Sequence, residues 1–305
     1  MKKATLPELL SKNLRRQDKK YMVALILDGK LVAGEFRSQI KQDVATRIQQ
    51  GHRAPGLAVI QVGEDPASTI YVTGKRKACL EAGFNSFDYN LPPETTEEEL
   101  LSLIDTLNEA VNVDGILVQL PLPIHINSRH IIERINTNKD VDGFHPYNFG
   151  QLAQGNPQLR PCTPYGVIKL LEYYHLPVAG KHAVVIGASN IVGRPMALEF
   201  LHAKATVTIC HSLTQKLEQH VRMADILVVA TGKTTVINTD WLQPAQILID
   251  IGMHRRQDGT VHGDVNFQEA RKKVAWLTPV PGGAGPMTIS MLLQNTLFAA
   301  TYLSR

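Results

Sequence analysis

The sequence predicts an α/β fold with two domains, because it is too long for one domain and alternates short strand patterns with helical patterns throughout. Its 305 residues are 44% hydrophobic and 20% charged, which are ordinary values for a globular protein with a sizeable core. We expect residues 21–160, completed by 285–305, to form one α/β domain and residues 161–284 to form the second. A cleft is expected between them.

In the first half, strand patterns alternate with helical patterns, which is typical of a parallel sheet covered by helices. The expected elements, in chain order, are a buried strand Gly56–Val62, a helix over about 68–82 that ends at Gly83, a short strand near 87–91, a helix opened by the capping-box spacing Thr96 to Glu99, and a buried strand 114–120 that ends at Pro121.

The second half follows the same order more cleanly. Four apolar, β-rich runs are expected as strands, at 182–186, 205–210, 226–230 and 247–251, and residues 287–303 have the periodicity of a helix. The proline-bounded segment 161–164 is expected to be the junction between the two halves.

The net charge of +4 does not indicate a nucleic-acid partner. Residues 1–20 contain seven basic and two acidic residues, so the rest of the chain is close to neutral. We interpret these 20 residues as a short amphipathic extension; the alternative of a mitochondrial presequence is opposed by Glu8 and Asp18. No apolar run reaches the ~18 residues of a membrane span, so we expect no membrane partner.

Cysteine and histidine spacing predicts no metal site. Cys79, Cys162 and Cys210 form no CxxC pair, and the eleven histidines include no HExxH motif. Such cysteines are typical of free thiols in a reducing compartment, which predicts a cytoplasmic protein.

A glycine-containing turn between Gly187 and Gly193 joins the expected strand at 182–186 to a helix at 196–202. Glycines there permit a tight turn and a close approach of helix and strand, and a helix N-terminus offers free N–H groups to a pyrophosphate. The spacing is not GxGxxG, so the turn alone could equally be a loop without a ligand. Its strand–turn–helix–strand context favours a Rossmann-type dinucleotide-binding domain.

The end of the next strand indicates which dinucleotide is bound. NAD sites usually place a carboxylate there for the ribose 2′-hydroxyl, whereas this strand ends in His211 and Ser212. We therefore expect NADP; Arg194 either adds charge for the 2′-phosphate or is simply solvated. The residues expected to bind the cofactor are Gly187, Ala188, Ser189, Ile191, Val192, Gly193, Arg194, Pro195, His211, Ser212, Thr231, Gly232 and Ile251.

Three polar features of the first half could carry chemistry. Tyr71 and Lys75 are four residues apart, so one helix face presents both. Gln119 stands at the end of a strand, where open α/β sheets bind ligands, and Asp142 precedes Gly143 in a loop. Taken singly, Lys75 reads more readily as a surface lysine and Asp142 as a turn aspartate.

Taken in order, the motifs resemble the bifunctional methylenetetrahydrofolate dehydrogenase/methenyltetrahydrofolate cyclohydrolase family from about residue 21 to 303. They are Tyr71-x-x-x-Lys75-x-Lys77, Val118-Gln119-Leu120-Pro121-Leu122-Pro123, Lys139-Asp140-x-Asp142-Gly143, Pro161-Cys162-Thr163-Pro164, Gly187-x-Ser189-x-Ile191-Val192-Gly193-x-Pro195, and the run from Thr278 to Thr288 that contains Pro281-Gly282-Gly283-Ala284.

The resemblance implies NADP-dependent oxidation of 5,10-methylenetetrahydrofolate and hydrolysis of the methenyl product to 10-formyltetrahydrofolate, in a homodimer joined through the dinucleotide domain. It implies that Lys75 is the general acid/base, that Tyr71 stacks on the substrate, that Gln119 orients the lysine and that Asp142 binds the pterin. Pro281, Gly282 and Gly283 belong to its substrate loop, in which Ala284 replaces the usual valine; Ala188 stands where some members have arginine.

Lys75 could act as such an acid/base if burial and a basic neighbour, Arg76 or Lys77, lowered its pKa toward neutrality. Two alternatives remain open. One is an NADP-dependent dehydrogenase of another small substrate, of the shikimate type. The other is a catalytically silent protein that binds folate or a dinucleotide.

Overall fold

The computed structural model describes residues 23–63, 66–234, 236–256 and 258–303, and only the backbone of residues 66–71. The expected extension at 1–20 lies outside these residues. The strands are β1 (Leu25–Ile26), β2 (Gly56–Val62), β3 (Asn85–Leu91), β4 (Gly115–Val118), β5 (His182–Ile186), β6 (Thr206–Cys210), β7 (Ile226–Val229), β8 (Ile247–Asp250), β9 (His254–Arg255), β10 (Val261–His262) and β11 (Trp276–Leu277).

The α-helices lie between these strands and after the last of them. They are α1 (Gly29–Gln49), α2 (Pro66–Ala82), α3 (Glu97–Glu109), α4 (Ser128–Arg134), α5 (Pro146–Ala153), α6 (Cys162–Tyr173), α7 (Gly193–His202), α8 (Leu217–Met223), α9 (Phe267–Ala270) and α10 (Ala284–Phe298). A 3₁₀ helix covers Thr239–Trp241, and a π-helical turn, Ala299–Leu303, follows α10.

The first half forms a three-stranded parallel sheet in the order β3–β2–β4. Every residue of the central strand β2 is buried, which explains its continuous apolar run. The capping box of α3 is formed as expected: Thr96 Oγ1 accepts from Glu99 N–H at 3.2 Å, and the Glu99 carboxylate accepts from Thr96 N–H at 2.8 Å.

The second half forms a six-stranded parallel sheet in the order β1–β11–β8–β7–β5–β6. Strand β5 lies between β6 and β7. After β5 the chain therefore forms β6 on one side of it and then crosses over to form β7 on the other side. This is the topological switch point of a doubly wound sheet, where such folds bind ligands at the carboxyl ends of the strands. Strand β1 joins the far edge of this sheet by pairing with β11.

The α/β fold class with parallel sheets is confirmed, and several strand limits differ slightly from the prediction. The strand expected at 114–120 covers only Gly115–Val118; the carboxylate of Asp114, just before it, accepts from Gly56 N–H at 2.8 Å and pairs with Arg53. The segment 161–164, expected to be the junction between the halves, is the start of a helix. Pro161 precedes α6 and Pro164 lies in its first turn, where a proline loses no helical hydrogen bond.

Helix α10 connects the two halves, since it packs against both α1 and α6. The helix expected at 287–303 is α-helical from Ala284 to Phe298 and then changes to the π-helical turn. A second connection is the ion pair between Arg160, which precedes α6, and the fully buried Glu199 of α7. Within the described ranges we found no helix with the length and apolar character needed to cross a bilayer.

Candidate functional site

A cavity of about 320 Å³ lies between the two halves, at the carboxyl ends of β4, β5 and β8. One wall carries Lys75, Gln119 and Asp142, and the opposite wall carries Ile191, Val192 and Ile251. The remaining lining residues are Leu120, Pro121, Phe144, Cys162, Thr163, Met253, Ala284, Gly285 and Thr288. Residues expected to perform chemistry therefore face residues expected to bind a dinucleotide.

Lys75 is held inside this cavity by Gln119. Lys75 is only 6% exposed, and its Nζ donates to Gln119 Oε1 at 3.0 Å. The amide of Gln119 is itself fixed, because its Nε2 donates to the carbonyl of Leu120 at 2.7 Å and so turns Oε1 toward the lysine. Lys75 is therefore a buried lysine whose hydrogen-bond acceptor is already in place, and not the surface lysine that the sequence alone suggests.

The basic neighbours of Lys75 do not reach it. Arg76 pairs with Asp88 at 3.0 Å and Lys77 with Glu81 at 3.8 Å, and both side chains are exposed. The expectation that one of them would act on Lys75 fails because successive helix positions do not face each other. The charged partner that the structure places near Lys75 is Asp142.

Asp142 lies in the loop after β4, and an aspartate two residues earlier shapes that loop. The buried carboxylate of Asp140 accepts from Phe144 N–H at 3.2 Å, His145 N–H at 2.9 Å and Asn148 Nδ2 at 2.9 Å. Burial raises the pKa of Asp140 to about 7. In the sequence, Asp140 was visible only as part of a motif, and this structural role was not indicated.

Burial raises the pKa of Asp142, and the positive charge of Lys75 opposes that rise. The next residue, Gly143, has φ +74°, and a Cβ there would meet the backbone at Arg160 and Pro161. Only glycine permits this close approach, which places Asp142 beside the start of α6.

Hydroxyls and a thiol line the base of the cavity, and sequence reasoning did not assign them a role. Thr163 and Thr288 are joined through their Oγ1 atoms at 2.9 Å. Cys162 Sγ donates to the carbonyl of Val141 at 3.2 Å, and burial raises the pKa of this thiol well above its usual range. Cys162 is therefore a packed thiol, with 1% of its surface exposed. The signal that marked these positions was the proline-bounded motif at 161–164.

The turn at Gly187 follows β5 and runs into α7. Gly187 has φ +122°, and a Cβ on it would overlap with the carbonyl oxygen of Ala230. A Cβ on Gly193 would overlap with the carbonyl oxygen of Gly187. Both glycines are thus required by the close packing of the turn. Ser189 stabilises it, because its Oγ accepts from Val192 N–H at 3.2 Å.

The other expected cofactor residues surround this turn. Arg194 Nε donates to the carbonyl of Ala188 at 3.1 Å, and the ring of Pro195 is buried in the first turn of α7. At the end of β6, His211 N–H donates to Thr214 Oγ1 at 2.8 Å, and Ser212 is exposed. The N–H groups of Thr231 and Gly232 are already bonded to Asp264, a residue that sequence reasoning missed.

Pro281, Gly282 and Gly283 do not line the cavity at Lys75. They line a neighbouring cavity of about 490 Å³, which shares Ile251, Met253, Ala284 and Gly285 with the first. Tyr71 lies on α2 one turn before Lys75, but its side chain is outside the described residues. In the part of the chain that is described, no group of three or more His, Cys, Asp or Glu residues could hold a metal ion.

Two family models match this chain in succession. Residues 27–142 match the catalytic domain of tetrahydrofolate dehydrogenase/cyclohydrolase, and residues 161–304 match its NAD(P)-binding domain. The chain belongs to the tetrahydrofolate dehydrogenase/cyclohydrolase family. Membership in this family supports the principal hypothesis over a shikimate-type dehydrogenase.

Individual members of the family agree with this assignment over nearly the whole chain. The bifunctional protein FolD of Legionella pneumophila (strain Corby) is 60% identical over 282 residues, which are 92% of this chain and 99% of the relative.

Solved structures of the family have the same fold. The bifunctional FolD enzyme of Campylobacter jejuni superimposes with a TM-score of 0.88 at 48% identity, covering 91% of this chain and 98% of its own. The Trypanosoma brucei enzyme, solved with NADP and an inhibitor, gives a TM-score of 0.88 at 38% identity, with coverages of 93% and 99%.

Proposed function

We propose that the protein is an NADP-dependent 5,10-methylenetetrahydrofolate dehydrogenase that also hydrolyses 5,10-methenyltetrahydrofolate to 10-formyltetrahydrofolate. The observation that carries the proposal is the buried pair of Lys75 and Gln119, which lies with Asp142 opposite the Gly187 turn in one cavity. A folate placed between these walls would have an acid/base group on one side and the dinucleotide on the other.

In this proposal Asp142 binds the edge of the pterin and Tyr71 binds its face. The carboxylate of Asp142 accepts two hydrogen bonds from the amino-pyrimidine edge, a geometry that also suits guanidine-like groups. Tyr71 stacks on the conjugated ring. The substrate loop at Pro281, Gly282 and Gly283 lines the adjoining cavity and receives the part of the folate that extends away from the pterin.

The dinucleotide half has the features that NADP requires. The turn between Gly187 and Gly193 brings the N-terminus of α7 to the switch point, where the positive end of the helix dipole favours a phosphate. His211 and Ser212 end β6 without a carboxylate that would repel a 2′-phosphate. When bound, NADP supplies a hydride acceptor, and the apolar side chains of Ile191, Val192 and Ile251 exclude water from the cavity wall.

The dehydrogenase step depends mainly on the alignment of the folate with the dinucleotide. Loss of hydride from the carbon between N5 and N10 leaves a cation that these two nitrogens stabilise, so the chain contributes by holding the folate in register. Asp142, Tyr71 and the apolar wall supply that register.

The cyclohydrolase step needs proton transfers that Lys75 can perform. Water adds to the methenyl carbon and loses a proton, which gives a neutral carbinolamine. The bond from that carbon to N5 then breaks as N5 takes up a proton and the hydroxyl loses its own to become the formyl C=O, so that one proton is released overall. Lys75 takes and returns these protons, and Gln119 keeps its Nζ aimed into the cavity. General acid–base assistance of this kind contributes ~10²–10⁴-fold to a rate.

The organisation of the chain completes the proposal. Residues 21–160 with 285–305 form the folate-binding unit and residues 161–284 the NADP-binding unit, as the resemblance implies, except that β1 pairs with the sheet of the NADP-binding unit. We also propose a cytoplasmic homodimer joined through the dinucleotide domain. The buried, free thiols of Cys79, Cys162 and Cys210 agree with a reducing compartment. Size-exclusion chromatography with light scattering tests the dimer.

A spectrophotometric assay tests the function. Purified protein with 5,10-methylenetetrahydrofolate should reduce NADP⁺ much faster than NAD⁺, followed at the absorbance of the reduced nicotinamide. It should also hydrolyse 5,10-methenyltetrahydrofolate when no dinucleotide is present. Absence of both reactions from folded protein would overturn the proposal and would favour a silent binding protein.

A further inference from the structure

The carboxylate of Asp264, just after β10, connects two separate segments of the dinucleotide half. Asp264 is only 2% exposed. Its Oδ2 accepts three hydrogen bonds from the turn after β7: from Thr231 N–H at 2.7 Å, from Thr231 Oγ1 at 2.8 Å and from Gly232 N–H at 3.1 Å. Nε2 of His254, on β9, lies 2.7 Å from its Oδ1.

The turn at Thr231 contacts the Gly187 turn. Strands β7 and β5 are neighbours in the sheet, so the two turns leave the same edge. A Cβ on Gly187 would overlap with the carbonyl oxygen of Ala230 and would lie 3.5 Å from Thr231 N. The position of the Thr231 turn therefore fixes one side of the groove between the two strand ends, where open α/β sheets bind their ligands.

The surroundings of Asp264 hold its carboxylate in one place. Asp250 accepts from Asp264 N–H at 3.0 Å through Oδ1 and from Val265 N–H at 2.9 Å through Oδ2. A Cβ on Gly252 would overlap with the carboxylate of Asp264. His254 stacks on His262, with ring centroids 5.2 Å apart, so the group that bonds to Oδ1 is also fixed.

We propose that Asp264 is a positioning residue of the dinucleotide site. It acts through Thr231 and Gly232, whose N–H groups it directs away from the groove, and it ties their turn to the hairpin β9–β10. This inference rests on the proposed NADP binding, because without a dinucleotide the turn has no ligand to position. Among the described residues, the carboxylate of Asp264 is bonded to Thr231, Gly232 and His254 and not to the cavity wall at Lys75, so the hydrolysis step does not depend on it.

Replacement of Asp264 tests the inference. Asp264→Ala removes the acceptor shared by Thr231 N–H and Gly232 N–H and so unties their turn from the β9–β10 hairpin, and we expect its Kd for NADP⁺, measured by calorimetry, to rise by about tenfold or more. We expect a matching rise in KM for NADP⁺, with kcat at saturating NADP⁺ and the NADP-independent cyclohydrolase rate near those of the wild type. A protein that was merely misfolded would lose both activities.

Conservative and remote variants separate positioning from general damage. In Asp264→Asn the amide oxygen can still accept from Thr231 and Gly232, so NADP⁺ affinity should be largely restored. Asp258→Asn alters an exposed carboxylate that accepts from Thr260 within its own turn, and it should bind NADP⁺ like the wild type.

Each result has a defined meaning. An unchanged Kd for NADP⁺ in folded Asp264→Ala overturns the inference. If that variant does not fold, Thr231→Val removes one of the three bonds and should weaken NADP⁺ binding by about threefold; an unchanged Kd there overturns the inference equally. If the wild-type protein binds NADP⁺ but turns over no folate, the proposed function is wrong, and the NADP⁺ titrations still test the role of Asp264.

Discussion

The two walls of the central cavity are built in different ways. The wall with Lys75 is made of side chains that come from three distant segments and are fixed by side-chain bonds, such as the one from Lys75 to Gln119. The wall opposite is shaped by a backbone turn, in which Gly187 and Gly193 pack closely without side chains and which presents Ile191 and Val192 to the cavity. Chemistry on one side should therefore be lost by changing a functional group, and binding on the other by changing the shape of the backbone.

The largest expected effect removes one functional group from the side-chain wall. Lys75→Met should lower the cyclohydrolase rate by ~10²–10⁴-fold, because the proton-transfer group is lost. NADP⁺ affinity should stay nearly unchanged, because the backbone wall is intact. Rates with 5,10-methenyltetrahydrofolate and calorimetry with NADP⁺ measure the two quantities. Arg76→Met is the matched control, since Arg76 points out to Asp88; a full cyclohydrolase rate in Lys75→Met would remove the lysine from the mechanism.

The next effect concerns the connection between the halves. Arg160→Met leaves the fully buried Glu199 without its partner, which should lower the free energy of unfolding by about 3–5 kcal/mol. Urea denaturation measures it. Arg129→Met breaks the exposed pair with Glu133 and serves as the control, with little change expected. Equal stability of the two variants would mean that the buried pair does not hold the walls together.

A smaller effect should follow from a change of backbone shape. Gly187→Ala adds a Cβ that overlaps with Ala230 at a φ of +122°, and a strain of about 1–3 kcal/mol should weaken NADP⁺ binding by roughly tenfold. Gly180→Ala is the control: Gly180 also has a positive φ, +75°, but a Cβ there meets no atom within 4 Å. The comparison of the two walls fails if Gly187→Ala lowers the cyclohydrolase rate more than NADP⁺ affinity.

The smallest expected effect is a change in the pH at which the protein loses its affinity for folate. The pKa of Asp142 is raised by burial, so folate affinity should fall as the pH decreases through that pKa and the carboxylate gains a proton. In Lys75→Met the opposing positive charge is absent, the pKa of Asp142 rises further, and the loss of affinity should begin at a higher pH. Titrations with 5-formyltetrahydrofolate across the acidic range would detect it. Identical profiles would show that Asp142 and Lys75 do not interact.

The sequence predicted the backbone wall better than the side-chain wall, and for a physical reason. Strand β5, which leads into the Gly187 turn, has the predicted limits because its buried positions give a continuous apolar run. The turn at Gly187 was recognisable because glycine adopts backbone conformations that other residues rarely adopt, and so marks tight turns.

The side-chain wall could not be predicted from local pattern, because burial of Lys75 depends on segments more than 40 residues away in the chain. Only the resemblance to a family pointed to it. The two-residue strands β1 and β11, and the bonds between Asp264 and Thr231, have no periodic signal of their own and become visible only when the chain is folded.

A crystal structure of the protein with NADP⁺ and an unreactive folate analogue tests the central claim most directly. We expect the pterin edge on Asp142, the Nζ of Lys75 beside the one-carbon position, and the nicotinamide against Ile191 and Ile251 within the same cavity. A folate bound outside that cavity, or a nicotinamide remote from the Lys75 wall, would contradict the account.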